Sequence, residues 1–426
     1  MAFRIGAGAF PNRFLVTRTS DDHYECEVGV IEGLPPGAEG NEDIFRFELR
    51  KTENTDRFNA VLLVPTGIGA EIGGHAGDAG PVARLMASAC DRLVTHPNVV
   101  NASDINEMPE NALYVEGSVI ARLLMGTAGL QPVRSNRVIV VIDAHESATL
   151  RNAAVNAVNG ARAAYGFQCP KVVMLDPPLI MRSEYKASGR ASGEIHGFER
   201  LLQMLTENRD AYDAVAVSSV IQVPPSFHQE YFDRGGEMVN PWGGVEALLT
   251  HAISSILDVP SAHSPMFESE EIANADPGIV EPRMAAEAIS LTFLQCILKG
   301  LQKSPRIVTD PDAMRGSGVF TVEDVSCLVI PDGCVGLPTL AALEQGIPVI
   351  AVRENTNLMQ NNLGALPWAP GQFHLVENYW EAVGVMTALR AGLPPRAVRR
   401  PIEGVEVRTH RTEIEKDTGS SRQVSV

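Results

Sequence analysis

The amino-acid sequence predicts an α/β protein with a largely parallel, Rossmann-like sheet and flanking helices. Short runs rich in Val, Ile and Leu alternate with segments of helical length, and such runs are typical of strands buried on both faces. The predicted strands are AVLLV (60–64), RLVTH (92–96), RVIVVID (137–143), KVVMLD (171–176), AVAVSSVI (214–221), CLVIPD (327–332) and IPVIAV (347–352). The predicted helices cover residues 79–90, 148–164, 196–207, 243–257, 282–301 and 336–346.

The order of these elements predicts four regions. Residues 1–55 carry short alternating runs split by Gly, Pro and Asp, which predicts a small β-rich N-terminal segment. Residues 56–170 form a Rossmann-like half with a Gly-rich loop, and residues 171–400 form a second α/β half. Residues 401–426 are polar with mixed charge, and we expect them to be disordered.

Two long stretches fit no regular element. Residues 177–195 and 222–244 are rich in Gly, Ser and Pro, and loops of this length in a compact α/β protein are usually lids or substrate loops. Within the first stretch, Arg190 is a candidate for binding a carboxylate or phosphate group. A solvated loop is the alternative interpretation.

Composition and charge exclude several classes of protein. The 426 residues include 52 acidic and 35 basic side chains, for a net charge of −17, which disfavours a nucleic-acid partner. Six scattered cysteines without a CxxC pair indicate a reducing compartment. Neither a signal peptide nor a membrane-spanning apolar run is recognisable. We therefore expect a cytoplasmic protein with a small-molecule substrate, no membrane partner, and enough apolar helix surface for a homodimer.

A Gly-rich loop, PTGIGAEIGGHAGDAG (65–80), directly follows the first buried strand. Glycine at this place lets backbone N–H groups approach an anion at a helix N-terminus. The glycine spacing differs from the dinucleotide fingerprint, and the next strand ends in Thr95-His96 without the acid that binds a ribose, so we do not expect NAD or FAD. The predicted substrate-binding residues of this loop are Thr66, Gly67, Gly69, Gly73, Gly74 and Asp78, with His75 as a candidate catalytic group.

Three further strand ends carry candidate chemistry. After the second strand, His96 and Asp104 are candidate catalytic residues, and Asn98, Asn101 and Glu107 are candidate substrate ligands. A turn built on Asn and Asp caps is the alternative interpretation of this segment. After the third strand, Asp143, His145 and Glu146 can supply metal ligands or a base with its orienting partner, so a divalent metal is one hypothesis.

The fourth strand end carries Cys334 on a tight turn ahead of a helix, where the helix dipole would lower the pKa of the thiol. The segment CLVIPDGCVGLPTLAALEQGIPVIAVREN resembles the second half-site of the aspartate/glutamate racemase superfamily. That resemblance implies a catalytic cysteine, but a second cysteine at a matching strand end is missing, because Cys90 lies in a predicted helix. A structural small residue at position 334 is the alternative.

Three motifs together resemble an uncharacterised family of bacteria and photosynthetic lineages, catalogued as domain of unknown function 3326. They are PTGIGAEIGGHAGDAG, THPNVVNASDINEMPENALYVEGS and GIVEPRMAAEAISLTFLQCILKGL. The resemblance covers most of residues 55–360 and implies a cytosolic α/β protein, with no particular chemistry.

The sequence thus predicts an enzyme that hydrolyses or isomerises a small polar substrate bearing a carboxylate. The candidate catalytic residues are His75, His96, Asp104, Asp143, His145, Glu146 and Cys334. One alternative is a nucleotide or nucleotide-sugar enzyme that uses the Gly-rich loop for phosphate. The other is a non-catalytic protein that binds or senses a small ligand.

Overall fold

The first sheet confirms the predicted α/β fold with a parallel sheet. The computed structural model describes residues 9–33, 43–402 and 404–410. The six strands of this sheet are all parallel, and in spatial order they are Phe373–Val376, Val349–Val352, Cys327–Pro331, Asn59–Leu62, Arg92–Thr95 and Ala112–Tyr114. Every residue of Val349–Val352 and Cys327–Pro331 is buried, as expected for strands covered on both faces.

The second sheet also has six strands. They are Val138–Asp143, Val172–Leu175, Ile180–Tyr185, Ala191–His196, Ala214–Gln222 and Ser261–Met266. Ala214–Gln222 is central and pairs in parallel with Val138–Asp143, with Ser261–Met266 and, at its end, with Ile180–Tyr185. The chain thus runs from the first sheet to the second and then returns to the first. The division of the chain at residues 55, 170 and 400 stays a prediction.

The prediction of an irregular lid at 177–195 is wrong, because Ile180–Tyr185 and Ala191–His196 form an antiparallel hairpin. Burial roughly alternates along the first hairpin strand, as expected for a β-strand. The sequence did not reveal this alternation, because the segment is rich in Gly and Ser residues. The second stretch, 222–244, contains the short helix Phe227–Asp233.

The described helices flank the two sheets. The α-helices are Gly80–Ser88, Pro97–Val100, Gly117–Leu124, Ala148–Tyr165, Phe198–Glu207, Phe227–Asp233, Gly243–Leu257, Glu270–Ala273, Ala285–Ala288, Leu294–Lys303, Pro311–Met314, Leu337–Gln345 and Tyr379–Arg390. Short 3₁₀ helices cover Arg209–Ala211, Pro282–Met284, Val322–Asp324, Leu363–Ala365 and Pro395–Val398. Two small two-stranded sheets pair Gly129–Gln131 with Arg306–Val308 and Asn101–Ala102 with Ile105–Asn106.

The single helix predicted over 282–301 is interrupted. The segment contains Pro282–Met284, Ala285–Ala288 and then Leu294–Lys303. The break lies where Phe293 takes a positive φ of 47° and where Asp104, from a distant part of the chain, accepts a hydrogen bond from the backbone N–H of Gln295. The apolar pattern of residues 282–301 could not show that Asp104 caps the start of a new helix at Leu294, because Asp104 is distant in the sequence.

The predicted β-rich N-terminal segment is confirmed as the antiparallel strands Ala9–Thr19 and Tyr24–Glu32. The first strand also pairs with the short strand Val335–Gly336, and Asn12 donates to the carbonyl of Leu248 in helix Gly243–Leu257. This segment therefore contacts the turn that follows strand Cys327–Pro331 of the first sheet and a helix that packs on the second sheet.

The last region of the chain is only partly described. Residues 404–410 have no regular secondary structure, and residues 403 and 411–426 of the predicted disordered tail lie outside the described residues. Among the residues that the structure describes, no helix is both long enough and apolar enough to cross a membrane.

Candidate functional site

A cavity of about 280 Å³ is lined by the Gly-rich loop, the N-terminal strand, and the helices Gly117–Leu124 and Gly243–Leu257. Its wall includes eight residues that the sequence singled out: Thr66, Gly67, Gly74, His75, His96, Asn98, Asn101 and Cys334. These residues come from the ends of three neighbouring strands of the first sheet, because the carboxyl ends of parallel strands meet at one edge.

His75 belongs to a hydrogen-bonded cluster that the sequence did not reveal. Its Nδ1 lies 2.6 Å from the hydroxyl of Tyr231, and both residues are buried. Asn240 donates from Nδ2 to the Tyr231 hydroxyl at 3.3 Å and to Oε1 of Glu287 at 3.2 Å. The backbone N–H of Ala76 also donates to Glu287, at 2.7 Å. His75, Asn240 and Glu287 all line the cavity, so this cluster forms one polar part of its wall.

Two groups in the wall have pKa values displaced in opposite directions. Burial raises the pKa of Glu287 to about 7, although hydrogen bonds from Tyr231 and from the Ala76 backbone counteract this effect. Burial lowers the pKa of His96 to about 4, so its imidazole is neutral at pH 7. Nε2 of His96 accepts a hydrogen bond from the backbone N–H of Val64 at 3.1 Å, which places the imidazole proton on Nδ1.

Glu116 and His251 are in contact in the same wall, with 2.6 Å between Oε1 and Nδ1. The other carboxylate oxygen, Oε2, accepts a hydrogen bond from the backbone N–H of Ser118 at 2.9 Å. The His251 contact and the bonds from Ser118 lower the pKa of Glu116 in spite of its burial. The Glu116 carboxylate is therefore charged at pH 7, and it contributes negative charge to the cavity wall.

A serine, a histidine and a glutamate are aligned next to this site. Oγ of Ser219 lies 2.8 Å from Nε2 of His263, and Nδ1 of His263 lies 2.9 Å from Oε1 of Glu246. The order matches a nucleophile, its base and an orienting carboxylate. Ser219 is fully buried, however, and it is not part of the cavity wall, whereas His263 and Glu246 are. A substrate in the cavity can therefore meet His263 and Glu246 but not the serine hydroxyl.

Arg13, from the N-terminal strand, supplies a cation to the cavity wall. Its Nη2 donates to the carbonyl of Thr66 at 3.3 Å, and its Nη1 is buried without a hydrogen-bond acceptor among the described residues. Burial, and the neighbouring charge of Arg190, lower the pKa of Arg13 to about 9, so the guanidinium is still charged at pH 7. The sequence does not indicate Arg13 as a site residue, because Arg13 lies in the N-terminal strand, far in sequence from the Gly-rich loop and the other motifs.

Close packing requires glycine at two positions of the loop, whether or not a ligand binds there. A Cβ on Gly74 would lie 2.1 Å from the carbonyl oxygen of Ala70, and one on Gly67 would lie 2.6 Å from that of Ala191. Gly67 also has a positive φ of 79°. These positions exclude larger side chains because other backbone segments approach them closely.

Several predicted site residues lie outside the cavity wall: Gly69, Gly73, Asp78, Asp104, Glu107, Asp143, His145, Glu146 and Arg190. Asp78 accepts from the backbone N–H of Gly73 at 2.9 Å, and burial raises its pKa to about 7. Asp104 accepts from the Thr292 hydroxyl at 3.0 Å, as well as from the Gln295 backbone, so it acts as a cap. Glu107 lies 3.7 Å from Arg84.

The three candidates after the third predicted strand, Asp143, His145 and Glu146, are not part of the cavity wall. Burial raises the pKa of Asp143 to about 7, and its Oδ2 accepts from the backbone N–H of Leu179 at 3.2 Å. Both ring nitrogens of His145 are bonded to backbone atoms, of Ser147 at 2.9 Å and of Glu268 at 3.2 Å, while Glu146 is exposed. Within the described ranges, no group of three or more His, Cys, Asp or Glu side chains is arranged to hold a metal ion.

Arg190 and Cys334 also differ from their predicted environments. Arg190 is buried and paired with Glu27, with 2.8 Å between Nε and Oε2, so its charge is already compensated.

Burial raises the pKa of the Cys334 thiol, which is opposite to the predicted direction. The helix that was expected to lower this pKa begins only at Leu337, and the cysteine, although part of the cavity wall, is only 4% exposed.

Comparison with known proteins identifies the family. The model of a family described as "Protein of unknown function (DUF3326)" matches residues 59–399. A protein named an uncharacterized lipoprotein, from Synechococcus sp., is 36% identical over 344 residues, which cover 80% of this chain and 92% of that protein. No solved structure matches the chain. The predicted resemblance is therefore confirmed, and the chain belongs to the DUF3326 family of proteins of unknown function.

Proposed function

We propose that the chain is an enzyme that transfers protons on a small polar substrate bearing a carboxylate, which it binds in the cavity between the two sheets. One observation carries the proposal: the same cavity wall contains an incompletely bonded guanidinium, Arg13, and a carboxyl group with a pKa of about 7, Glu287. The first can bind a carboxylate, and the second can take up or release a proton at neutral pH.

Arg13 offers an unused hydrogen-bond donor to an anionic ligand. Arg190 is paired with Glu27, whereas Arg13 forms no ion pair within the described part of the chain, although the charges of Glu27 and Glu116 favour its protonated form. A buried guanidinium nitrogen without an acceptor is costly, so a ligand carboxylate that bonds to this group would stabilise it. Binding would also bring the lowered pKa of Arg13 back toward its ordinary value, since a negative charge favours the protonated form.

The two displaced pKa values favour isomerisation over hydrolysis. Glu287, with a pKa of about 7, is suited to act as a base, and neutral His96, with its proton on Nδ1, is suited to donate a hydrogen bond to a carbonyl oxygen. A carboxylate base together with a neutral imidazole donor is a pair that enolises carbonyl compounds. In this scheme Glu287 removes a proton from the carbon next to the carbonyl group, His96 stabilises the developing oxyanion, and Arg13 fixes the carboxylate of the substrate.

Exchange of substrate hydrogens with solvent deuterium tests this proposal. The full chain is incubated in D₂O with short 2-oxo-, 2-hydroxy- and 2-amino-carboxylates, and NMR follows the loss of the proton at carbon 2 or carbon 3. We expect exchange with at least one of these compounds, its loss in Glu287→Gln, and weaker binding in Arg13→Gln. Glu110→Gln and Arg315→Gln change exposed side chains outside the cavity wall and serve as matched controls.

The alternatives predict different results in the same experiment. Tight binding of a carboxylate without exchange or product over hours would support the non-catalytic sensor. Exchange that persists unchanged in Glu287→Gln would contradict the assignment of the base. The cytoplasmic location stays a prediction, and fractionation of expressing cells tests it against the lipoprotein name of the Synechococcus relative.

A further inference from the structure

A second cavity, of about 160 Å³, lies beside the first. Its wall is mainly apolar and contains Phe232, Trp242, Phe267 and Phe293, together with Met266 and Ile297. It also contains two polar atoms, Nε2 of His228 and Oγ of Ser103, that are buried without a hydrogen-bond partner among the described residues. A cavity of about 150 Å³ with an apolar wall is large enough to bind benzene. The second cavity therefore has the size and the surface that suit one six-membered ring.

The two cavities share part of their walls. Glu287, Asn240, Glu246 and His263 line both of them, as do Ala76 and Asn101. The carboxyl group assigned as the base thus stands at the boundary between a polar cavity, which holds Arg13, and an apolar one. A molecule that spans this boundary would bring the atoms between its two ends next to Glu287.

We propose that the two cavities form one substrate site, and that the substrate is an aromatic carboxylic acid. Its carboxylate end occupies the first cavity, near Arg13, and its ring occupies the second. This inference rests on the proposed function, and it narrows the substrate from any small carboxylate to one with an apolar ring.

The apolar side chains of the second cavity favour a ring over a charged group. Phe232, Trp242 and Phe293 offer faces and edges against which an aromatic ring packs at low entropic cost. A charged group in this cavity would lose its hydration among apolar side chains. Four polar groups of the shared wall are bonded in pairs, since Asn240 donates to Glu287 and His263 is bonded to Glu246.

Calorimetric titration of the full chain with three probes tests the inference. Propanoate carries the carboxylate alone, benzyl alcohol carries the ring alone, and 3-phenylpropanoate carries both. We expect 3-phenylpropanoate to bind at least about tenfold more tightly than propanoate, since burial of a ring contributes that much affinity. Ile297→Phe, which fills the second cavity, should abolish this preference while propanoate binding persists. Ile297→Val leaves the cavity open and is the matched control.

The outcomes separate this inference from the proposed function. Equal affinity for propanoate and 3-phenylpropanoate in the unchanged protein would overturn the two-part site and leave the carboxylate site intact. A preference that survives in a folded Ile297→Phe variant would also overturn it. Binding of benzyl alcohol without binding of either carboxylate would instead contradict the proposed function. If Ile297→Phe does not fold, the comparison of the three probes in the unchanged protein still decides.

Discussion

The hydroxyl of Tyr231 lies 2.6 Å from Nδ1 of His75 and joins two distant parts of the chain. His75 belongs to the loop that leaves the first sheet, and Tyr231 lies on helix Phe227–Asp233, which follows the central strand of the second sheet. The pKa of Tyr231 is raised well above its ordinary value, mainly by burial, so the hydroxyl keeps its proton. This contact holds the Gly-rich loop against the second half and orients a histidine of the cavity wall.

Removal of this hydroxyl should destabilise the protein. Tyr231→Phe keeps the ring but leaves Nδ1 of His75 without its partner in a buried place. We expect the free energy of unfolding to fall by about 1–3 kcal/mol, the usual cost of an unpaired buried polar group. Urea denaturation measures the change. Tyr24→Phe, at a residue that is 61% exposed, should change the stability by less than about 0.5 kcal/mol. Equal effects in the two variants would contradict the importance of the contact.

Glu287 should make stability depend on pH in a defined direction. Its pKa is about 7 in the folded protein against 4.5 for the unperturbed group, so the folded state binds this proton more tightly. The associated stability is fully present below pH 4.5 and is lost as the pH rises through about 7. Glu287→Gln mimics the protonated form. The variant should therefore match the unchanged protein near pH 4.5 and be relatively more stable at pH 8.

Denaturation series across this pH range, with Glu110→Gln as an exposed control, measure the difference. A constant gap between Glu287→Gln and the unchanged protein at all pH values would show that Glu287 titrates normally.

The sheets are more evident in the sequence than the site is. Buried strands such as Val349–Val352 were recognisable because a run of apolar residues must lie between two layers. His75 and His96 were recognisable because strand ends meet at one edge of a parallel sheet. Arg13 and Glu287 were not, because no local pattern indicates that an N-terminal strand or a helix more than two hundred residues away contributes to the same cavity.

Contacts between distant parts of the chain also explain why some predicted site residues lie outside the cavity wall. Asp104 and Asp143 have the polar character of site residues, yet each bonds to a backbone N–H group, of Gln295 and of Leu179. Which partner a carboxylate finds is decided by tertiary packing. The hairpin Ile180–Tyr185 and Ala191–His196 was missed because glycine and serine obscured its alternation.

The buried pair of Arg190 and Glu27 should be important for stability. Glu27→Gln would leave Arg190, which is 3% exposed, without its countercharge and next to the charge of Arg13. We expect a loss of about 3 kcal/mol, the lower end of the range for a broken buried pair, because Glu27 itself keeps 21% of its side chain exposed.

Urea denaturation measures this loss, and an exposed pair provides the control. Asp312→Asn breaks the contact of Asp312 with Arg315, whose side chains are 90% and 70% exposed, and should cost less than about 1 kcal/mol. If the two variants lose equal stability, burial does not govern the strength of these pairs.

Cys334 should be inert toward thiol reagents in the folded protein. Burial raises the pKa of its thiol, and the thiolate is the reactive form. A small maleimide at pH 7, followed by mass spectrometry of peptides, should modify the partly exposed Cys26 and Cys169 before Cys334. Cys334→Ser should retain proton exchange on the substrate. Fast labelling of Cys334, or loss of exchange in Cys334→Ser, would restore the thiol as a candidate nucleophile.

Two glycine-to-alanine substitutions should change stability in opposite directions. A Cβ at Gly74 would lie 2.1 Å from the carbonyl oxygen of Ala70, so the loop must shift to accept it, and we expect a loss of about 1–3 kcal/mol, as for other overpacked positions. Gly384 is exposed inside helix Tyr379–Arg390, and a Cβ there meets no atom within 4 Å. Alanine at this position should stabilise the protein by about 0.5–1 kcal/mol, because glycine loses more backbone entropy in a helix. Thermal unfolding of both variants measures the two signs, and a stable Gly74→Ala variant with an unchanged cavity would show that the loop can move away from Ala70.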